Sequence, residues 1–499
     1  MEDCYIGSGD RHCSRDSPGD TARCIEALLK SLMSNVAEIP LKKRRMNQFE
    51  KKILMAGAIK ALDYIQAIEL RDVAPSAQAI KNLDVFDEEL TDQGVDALET
   101  IEFLDENGSP GTVASNGSRY YGFVIGGSHP AALAANWLAS AWDQNAGLLA
   151  TSPVNAKIET VVEKWITEIL PVAKGSSVGF VTGVTMANFC SLAAARTSIL
   201  QKLGWDVEGQ GLFGAPPITV IIGEEAHGSL LKALSMVGLG RERVVRIPSD
   251  NNGRIRADLI PKLDERTILC LQAGNVNTGA MDDGAVIARA KSEGAWVHID
   301  GAFGLWAGAS GLKKHLTEGY ELADSWATDG HKWLNVPYDS GLVICKNGND
   351  LRKAMSIHGD YLDQAGDRIP YHYTPELSRR ARAVDIWAAI RTLGKDGIDE
   401  LVTRTCVFAE YLSHELQEAG FEVLNKVETN QVLVSFGEET NRIIKEIQSD
   451  GTCWCGGTVW KGRPAMRISV SSVKTTENDI KKSLEAILKL AGKKIVVRS

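Results

Sequence analysis

From Gly175 onward, short β-rich runs alternate with helical patterns, and few folds accommodate that order. The runs fall at 178–181, 219–222, 244–247, 267–271, 295–300, 325–328 and 342–345. They are apolar on both faces, so the expected architecture is α/β: a mainly parallel sheet with helices on both faces. Sheets of this kind hold ligands beyond the carboxyl ends of their strands. After a helical stretch at 383–393, runs at 421–424, 432–436 and 466–470 alternate with helical patterns at 406–419, 439–448 and 477–490. That order predicts a smaller C-terminal α+β domain. Upstream, residues 1–20 read as frayed, and apolar positions recur at helical spacing from Thr21 to about Gln66. The Gly-, Ser- and Asn-rich stretches within 72–118 read as loops and a linker. The expected division is 1–118 as an N-terminal helical segment and linker, 119–395 as a large domain, and 396–499 as a small one.

Composition narrows the function classes. A chain of 499 residues, 44% hydrophobic and 24% charged, can bury a large core. A net charge of −9 opposes general binding to nucleic acid or anionic membranes, both of which demand a basic surface. The basic run at 42–45 is read as a solvated helix edge rather than an import signal. The nine cysteines are scattered, several in apolar runs (Cys190, Cys270, Cys345), which fits buried reduced thiols and a cytoplasmic location. The polar N-terminus lacks the basic-then-apolar pattern of a signal peptide, and no run of eighteen apolar residues occurs. No metal site is expected.

The chemistry concentrates at two predicted strand ends. Lys332 lies in Ser325-Trp-Ala-Thr-Asp-Gly-His-Lys332-Trp, where Trp326, His331 and Trp333 are expected to hem in the amine, lower its pKa and free it for carbonyl chemistry. Asp300 ends the strand that carries His298. A carboxylate there needs a cation, and a protonated pyridine nitrogen is one. Together the two suggest pyridoxal phosphate. The turn Thr182-Gly183-Val184-Thr185 opens an Ala-rich helix; it suits a phosphate, or simply a capped helix start. His227, after the next strand, is either a ring-stacking residue or a helix-entry histidine. His298 shares a strand face with Asp300 and either orients its carboxylate or is a satisfied core histidine. Ala302 either packs on the ring or fills a turn.

Seven segments, in order, then resemble one family: Arg119-Tyr-Tyr-Gly-Phe123, Ala131-Ala-Leu-Ala-Ala-Asn-Trp137, Ala226-His227, Gln272-Ala-Gly-Asn-Val-Asn-Thr-Gly279, His298-Ile-Asp-Gly-Ala-Phe303, His331-Lys332 and Leu377-Ser-Arg-Arg-Ala-Arg382. The chain is similar to the group II pyridoxal-phosphate-dependent amino-acid decarboxylases, the family of glutamate and aromatic amino-acid decarboxylases. The resemblance implies pyridoxal-phosphate fold type I, like aspartate aminotransferase, and a homodimer with active sites at the subunit interface. It implies that Lys332 bonds covalently to the cofactor, Asp300 pairs with the pyridine nitrogen and His227 stacks on the ring. Val184, through its backbone, and Thr185 would hold the phosphate, and Ala302 and His331 would line the cofactor. Tyr361 resembles the tyrosine of a mobile catalytic loop that protonates the substrate carbon. Arg467 matches an arginine that binds a substrate carboxylate; otherwise it is a strand-edge ion pair.

Departures from the family pattern are Met186 in place of glutamate, Gly301 and Phe303 after the aspartate, and Asp329 where asparagine often touches phosphate. Tyr120, Tyr121, Phe123, Trp137 and Trp142 tilt the expected substrate toward an aromatic or apolar amino acid. The alternatives are an aldehyde synthase, a carbon–carbon lyase, an aminotransferase, a noncatalytic scaffold, and a serine hydrolase built on Gly175-Ser-Ser177-Val-Gly179. The last conflicts with position, since a nucleophile elbow follows a strand rather than preceding one.

Overall fold

Seven strands make the central sheet in the computed structural model of the protein, which describes residues 46–356 and 368–493. They are β1 (Ser177–Val181), β2 (Thr219–Gly223), β3 (Val244–Ile247), β4 (Thr267–Gln272), β5 (Trp296–Asp300), β6 (Ser325–Asp329) and β7 (Gly341–Cys345), in the order β1-β7-β6-β5-β4-β2-β3. β7 runs antiparallel to both its neighbours, and the remaining pairs are parallel. Alternate residues of each strand feed different cores, as a pleat requires. Ile221, Leu269, Val297 and Ile299 join Trp306, Trp326 and Trp333 in one cluster. Val220, Ile222, Ile268 and Cys270 join Leu192, Ala194 and Ile199 in another.

Those last three lie on the helix Val184–Lys202, whose run of alanines and serine lets it settle deep against the sheet. A Cβ added to Gly341 would stand 2.5 Å from the Cα of Gly183, so only glycine lets β7 and the start of this helix approach so closely. The helix N-terminus is thereby fixed beside the carboxyl ends of β5 and β6.

A second sheet, order β10-β11-β9-β8 and antiparallel throughout, comprises β8 (Glu422–Val423), β9 (Gln431–Ser435), β10 (Gly456–Trp460) and β11 (Arg463–Ser469). Its core joins Val432, Val434, Met466 and Ile468 to Ile443, Ile447, Ile480 and Ile487 of the helices Thr440–Asp450 and Glu477–Leu490. By contact, among the described residues, 46–62 with 91–104 form one unit, and 63–90 with 105–356 and 368–493 form a second that holds both sheets. In the first unit the helix Gln48–Ala67 begins, with Phe49, Leu54, Met55, Ile59 and Leu62 exposed.

One expectation needs correction. The 72–118 region is not only loop: it contains the helices Ala77–Asn82 and Ala97–Gly108, the first started by the Ser76 hydroxyl accepting from Ala79 N–H, the second by Asp96 accepting from Leu98 and Glu99. The helices expected at 383–393 and 406–419 are both present within Arg382–Glu418, separated by a kink at Gly394 (φ 63°, ψ −174°), and the second starts earlier than expected. Strand β10 went unanticipated, because Gly456 and Gly457 carry no side-chain pattern to betray it. No helix among the described residues is long and apolar enough to cross a membrane. Cys190, Cys270, Cys345, Cys406, Cys453 and Cys455 are free and buried.

Candidate active site

Adjacent strand ends bring the chemistry together. In the β5–β6 register Asp300 faces Ala327, so β6 continues past it into Asp329 and the turn that carries Lys332. That turn is tightly held. A Cβ on Gly126 would fall 1.7 Å from the Lys332 carbonyl oxygen, so the 119–127 segment lies directly on the lysine's backbone. Asn335, at φ 58°, donates to Trp333 O and Ser471 O at 2.9 Å each, and its Oδ1 accepts from Val473 N–H at 2.8 Å. A single asparagine thus ties the lysine turn to the strand exit of β11.

The surroundings of the Lys332 amine differ from expectation. The indole N–H groups of Trp326 and Trp333 donate into the core, to Tyr320 O and to Thr405 Oγ1. The amine instead meets a carboxylate: Lys332 Nζ lies 3.1 Å from Asp329 Oδ2. Asp329 Oδ1 accepts from Val184 N–H at 2.6 Å, at the start of the buried helix. His331 Nε2 stands 3.6 Å from Asp329 Oδ2, its Nδ1 accepts from Ser340 N–H at 3.1 Å, and its ring stacks on Tyr338 at 4.1 Å. Burial pushes the His331 pKa down, which favours the neutral ring.

Asp300 is 4% exposed, and burial raises its pKa, opposed by the charge of His227 and the hydrogen bond from Asn188. Asn188 Nδ2 donates to Asp300 Oδ2 at 2.9 Å, and Asn188 Oδ1 contacts His298 Nε2 at 2.9 Å. His298 Nδ1 meets Ser325 Oγ at 3.0 Å, which also accepts from Trp296 Nε1. His298 therefore orients the carboxylate through Asn188 rather than directly, a bridging residue that sequence reasoning missed.

Burial drives the His298 pKa down from 6.5 to about 3. Between those values the unfolded chain takes up a proton that the folded chain refuses, so this group's stabilising contribution is present above about pH 6.5 and is lost as pH falls toward 3. Asp282 and Asp385, raised by burial from 3.8 to about 6, titrate with the opposite sign. A His298→Gln variant isolates the histidine. Between pH 6.5 and 5 the wild type should lose about 1.5 kcal/mol more than the variant, read as a steeper fall of Tm with pH. Equal slopes would show that His298 is not a neutral buried ring.

His227 makes the helix-entry contact. Its Nδ1 accepts from Ser229 N–H at 3.2 Å and contacts Ser229 Oγ at 2.8 Å, capping the helix Gly228–Met236. Its ring also lies within electrostatic reach of Asp300, Lys332, Arg467 and Asp329, although burial keeps its pKa low. Arg467 is 8% exposed on β11, which lies inside its sheet between β10 and β9, not at an edge. Its Nη1 donates to Val276 O at 3.0 Å and Asn277 Oδ1 at 3.4 Å, and its guanidinium lies 5.8 Å from the Phe123 ring centre. Among the described residues no carboxylate pairs with it. Trp454, another residue not singled out from sequence, stacks on Tyr120 at 5.0 Å and lies 5.6 Å from Phe123. Tyr120 and Tyr121 are buried, whereas Phe123, Trp137 and Trp142 are exposed.

Ala302 follows Asp300 and accepts from Asp329 N–H, while Thr185 sits in the first turn of the helix after Val184. Tyr361 lies outside the described residues. Ser177 opens β1 rather than following a strand, so Gly175-Ser-Ser177-Val-Gly179 forms no nucleophile elbow.

The model of the family described as the pyridoxal-dependent decarboxylase conserved domain matches residues 82–438, more than two thirds of the chain. The chain belongs to the pyridoxal-dependent decarboxylase family. As a member it is a pyridoxal-phosphate-dependent carboxy-lyase acting on an amino acid. It is 24% identical over 463 residues to an aromatic-L-amino-acid decarboxylase of Bacillus atrophaeus, covering 86% of this chain and 93% of that protein. It is 31% identical over 268 residues to an aspartate 1-decarboxylase of Aliivibrio fischeri, covering 50% of this chain and 49% of that protein. The structure of Catharanthus roseus tryptophan decarboxylase in complex with L-tryptophan superposes with a TM-score of 0.80 at 19% identity, covering 90% of this chain and 99% of that one. Fold type I is thereby established. The donor set suits the cofactor of this family: an amine, a buried carboxylate, an imidazole, and a helix-start amide that already donates to an anionic oxygen.

Proposed function

We propose that this decarboxylase acts on an aromatic L-amino acid at a site built from Asp300, Lys332, His227 and Arg467. The observation that carries the assignment is the pairing of an amine and a buried carboxylate at the ends of hydrogen-bonded neighbours β6 and β5. When bound, pyridoxal phosphate supplies a protonated pyridine that draws electrons from the bond being broken. Lys332 would hold the cofactor through its amine, with His331 beside it. Asp300 keeps the pyridine nitrogen protonated, held in place by Asn188 and His298. His227 and Ala302 would hold the ring. The Val184 amide and the Thr185 hydroxyl hold the phosphate. Arg467 binds a substrate carboxylate, and the wall of Tyr120, Phe123 and Trp454 beside it accommodates an aromatic side chain. Tyr361 delivers a proton to the α-carbon once carbon dioxide has left.

A cytoplasmic homodimer with active sites at the subunit interface completes the proposal. It is supported by the exposed apolar residues Phe49, Leu54, Met55, Ile59 and Leu62 of one helix. The break at Gly394 supports domain limits of 119–395 and 396–499, with 1–118 ahead of them.

Full-length protein with pyridoxal phosphate should release carbon dioxide and amine, with the highest kcat/KM on an aromatic member of the standard amino acids. Arg467→Met should raise KM by about tenfold, because it loses a charge-assisted contact to substrate, and should lower Tm modestly, because Val276 O and Asn277 Oδ1 lose a donor. Turnover confined to aspartate or glutamate would overturn the aromatic assignment. Stoichiometric hydrogen peroxide and ammonia would instead indicate an aldehyde synthase.

A further inference from the structure

The Asp329 carboxylate is placed where the cofactor's phosphate is expected to bind. Its Oδ1 is on the Val184 amide at 2.6 Å, the same N–H assigned to the phosphate, so this inference rests on the function proposed above. Its main chain cannot carry it away: Asp329 N–H donates to Ala302 O at 2.9 Å, and its carbonyl accepts from Trp306 Nε1 at 3.1 Å. The side chain is buried, and its other oxygen is held by Lys332 at 3.1 Å with His331 at 3.6 Å. Space is short as well, since a Cβ on Gly183 would lie 3.2 Å from His331 Cε1 and 3.5 Å from Asp329 Oδ1.

We infer that Asp329 is an internal anion that competes with the cofactor's phosphate for the helix start at Val184, so that cofactor uptake requires this carboxylate to release the Val184 amide. One N–H serves one strong acceptor, and a helix N-terminus already facing a carboxylate gains less from a phosphate. The pairing also consumes the Lys332 charge. An asparagine at 329 would carry no charge and would offer an N–H to the phosphate.

The test separates the phosphate from the rest of the cofactor. Full-length wild type, Asp329→Asn and Asp329→Ser, each stripped of cofactor, are titrated with pyridoxal phosphate and with pyridoxal, and binding is followed by visible absorbance. Changes at Lys332 caused by losing Asp329 affect both ligands alike, so the ratio of the two affinities reports the phosphate. The expected result is a preference for pyridoxal phosphate over pyridoxal about tenfold greater in Asp329→Asn than in wild type, from relief of like-charge contact, and a shift of the same sign in Asp329→Ser. An unchanged or smaller ratio in both variants would overturn the inference while leaving the cofactor assignment intact. Failure of wild type to bind either ligand would instead overturn the cofactor assignment, and this inference with it.

Discussion

Lys332→Ala should leave a folded protein whose kcat, at saturating pyridoxal phosphate, is lower by about four orders of magnitude. In the proposed function the lysine supplies the nitrogen that would bond to the cofactor, and no neighbouring amine lies in the same turn to replace it: the residues around it are Gly330, His331, Trp333 and Leu334. The structural cost is smaller. Removing the amine strips Asp329 Oδ2 of its 3.1 Å partner, while Oδ1 keeps the Val184 amide, so the loss of stability should be about 1–3 kcal/mol. Lys332→Arg separates the two effects, because it retains a cation for Asp329 and loses only the nucleophilic amine. Both variants should be inactive, and the arginine variant should have the higher Tm. Residual activity within tenfold of wild type in either would remove Lys332 from the chemistry.

Asp300→Asn is the second large effect, with kcat down about 10³-fold, or about 4 kcal/mol of transition-state stabilisation. The substitution is nearly isosteric, and Asn188 Nδ2 can still donate to the oxygen at position 300, since Asn188 Oδ1 is engaged by His298. What disappears is the negative charge, and with it the means of keeping a pyridine nitrogen protonated. Burial already works against that charge, raising the Asp300 pKa, and His227 and Asn188 work to keep it ionised. The Asn188→Ala variant therefore belongs in the same assay as a milder case, with the carboxylate present but less well held. Steady-state kinetics alongside Tm decides the matter: a Tm close to wild type with kcat collapsed marks lost chemistry, whereas equal losses of both would mark Asp300 as structural.

Much of the fold was legible because its signals are local. The apolar runs that became β1 to β7 each carry their own period, and the two that end in Asp300 and Asp329 were recognisable without knowing their neighbours. Contacts that span the chain were harder to read. His298 and Asp300 share a face, as the two-residue period requires, but side chains two apart on a strand stand about 6.6 Å from each other, too far for one hydrogen bond. The gap is filled by Asn188, 112 positions before Asp300 in sequence, and only the packing of a distant helix reveals it. Trp326 and Trp333 misled for the same reason. Adjacency in sequence to a reactive amine does not fix the direction of an indole, and both N–H groups found acceptors in the core. Asp329 stood out in the sequence as a departure from the family pattern, but its partners Val184 and Lys332 emerged only from the geometry. For His227 the helix-entry contact was legible from its position, whereas its proximity to the charges of Asp300, Lys332 and Arg467 emerged only from the geometry.

Borohydride reduction of the protein loaded with pyridoxal phosphate, followed by peptide mass mapping, tests the central assignment most directly. The account predicts a phosphopyridoxyl group on the peptide containing Lys332 and its absence from Lys332→Ala. A stable adduct on any other lysine, or none on protein that is folded and saturated with cofactor, would contradict it.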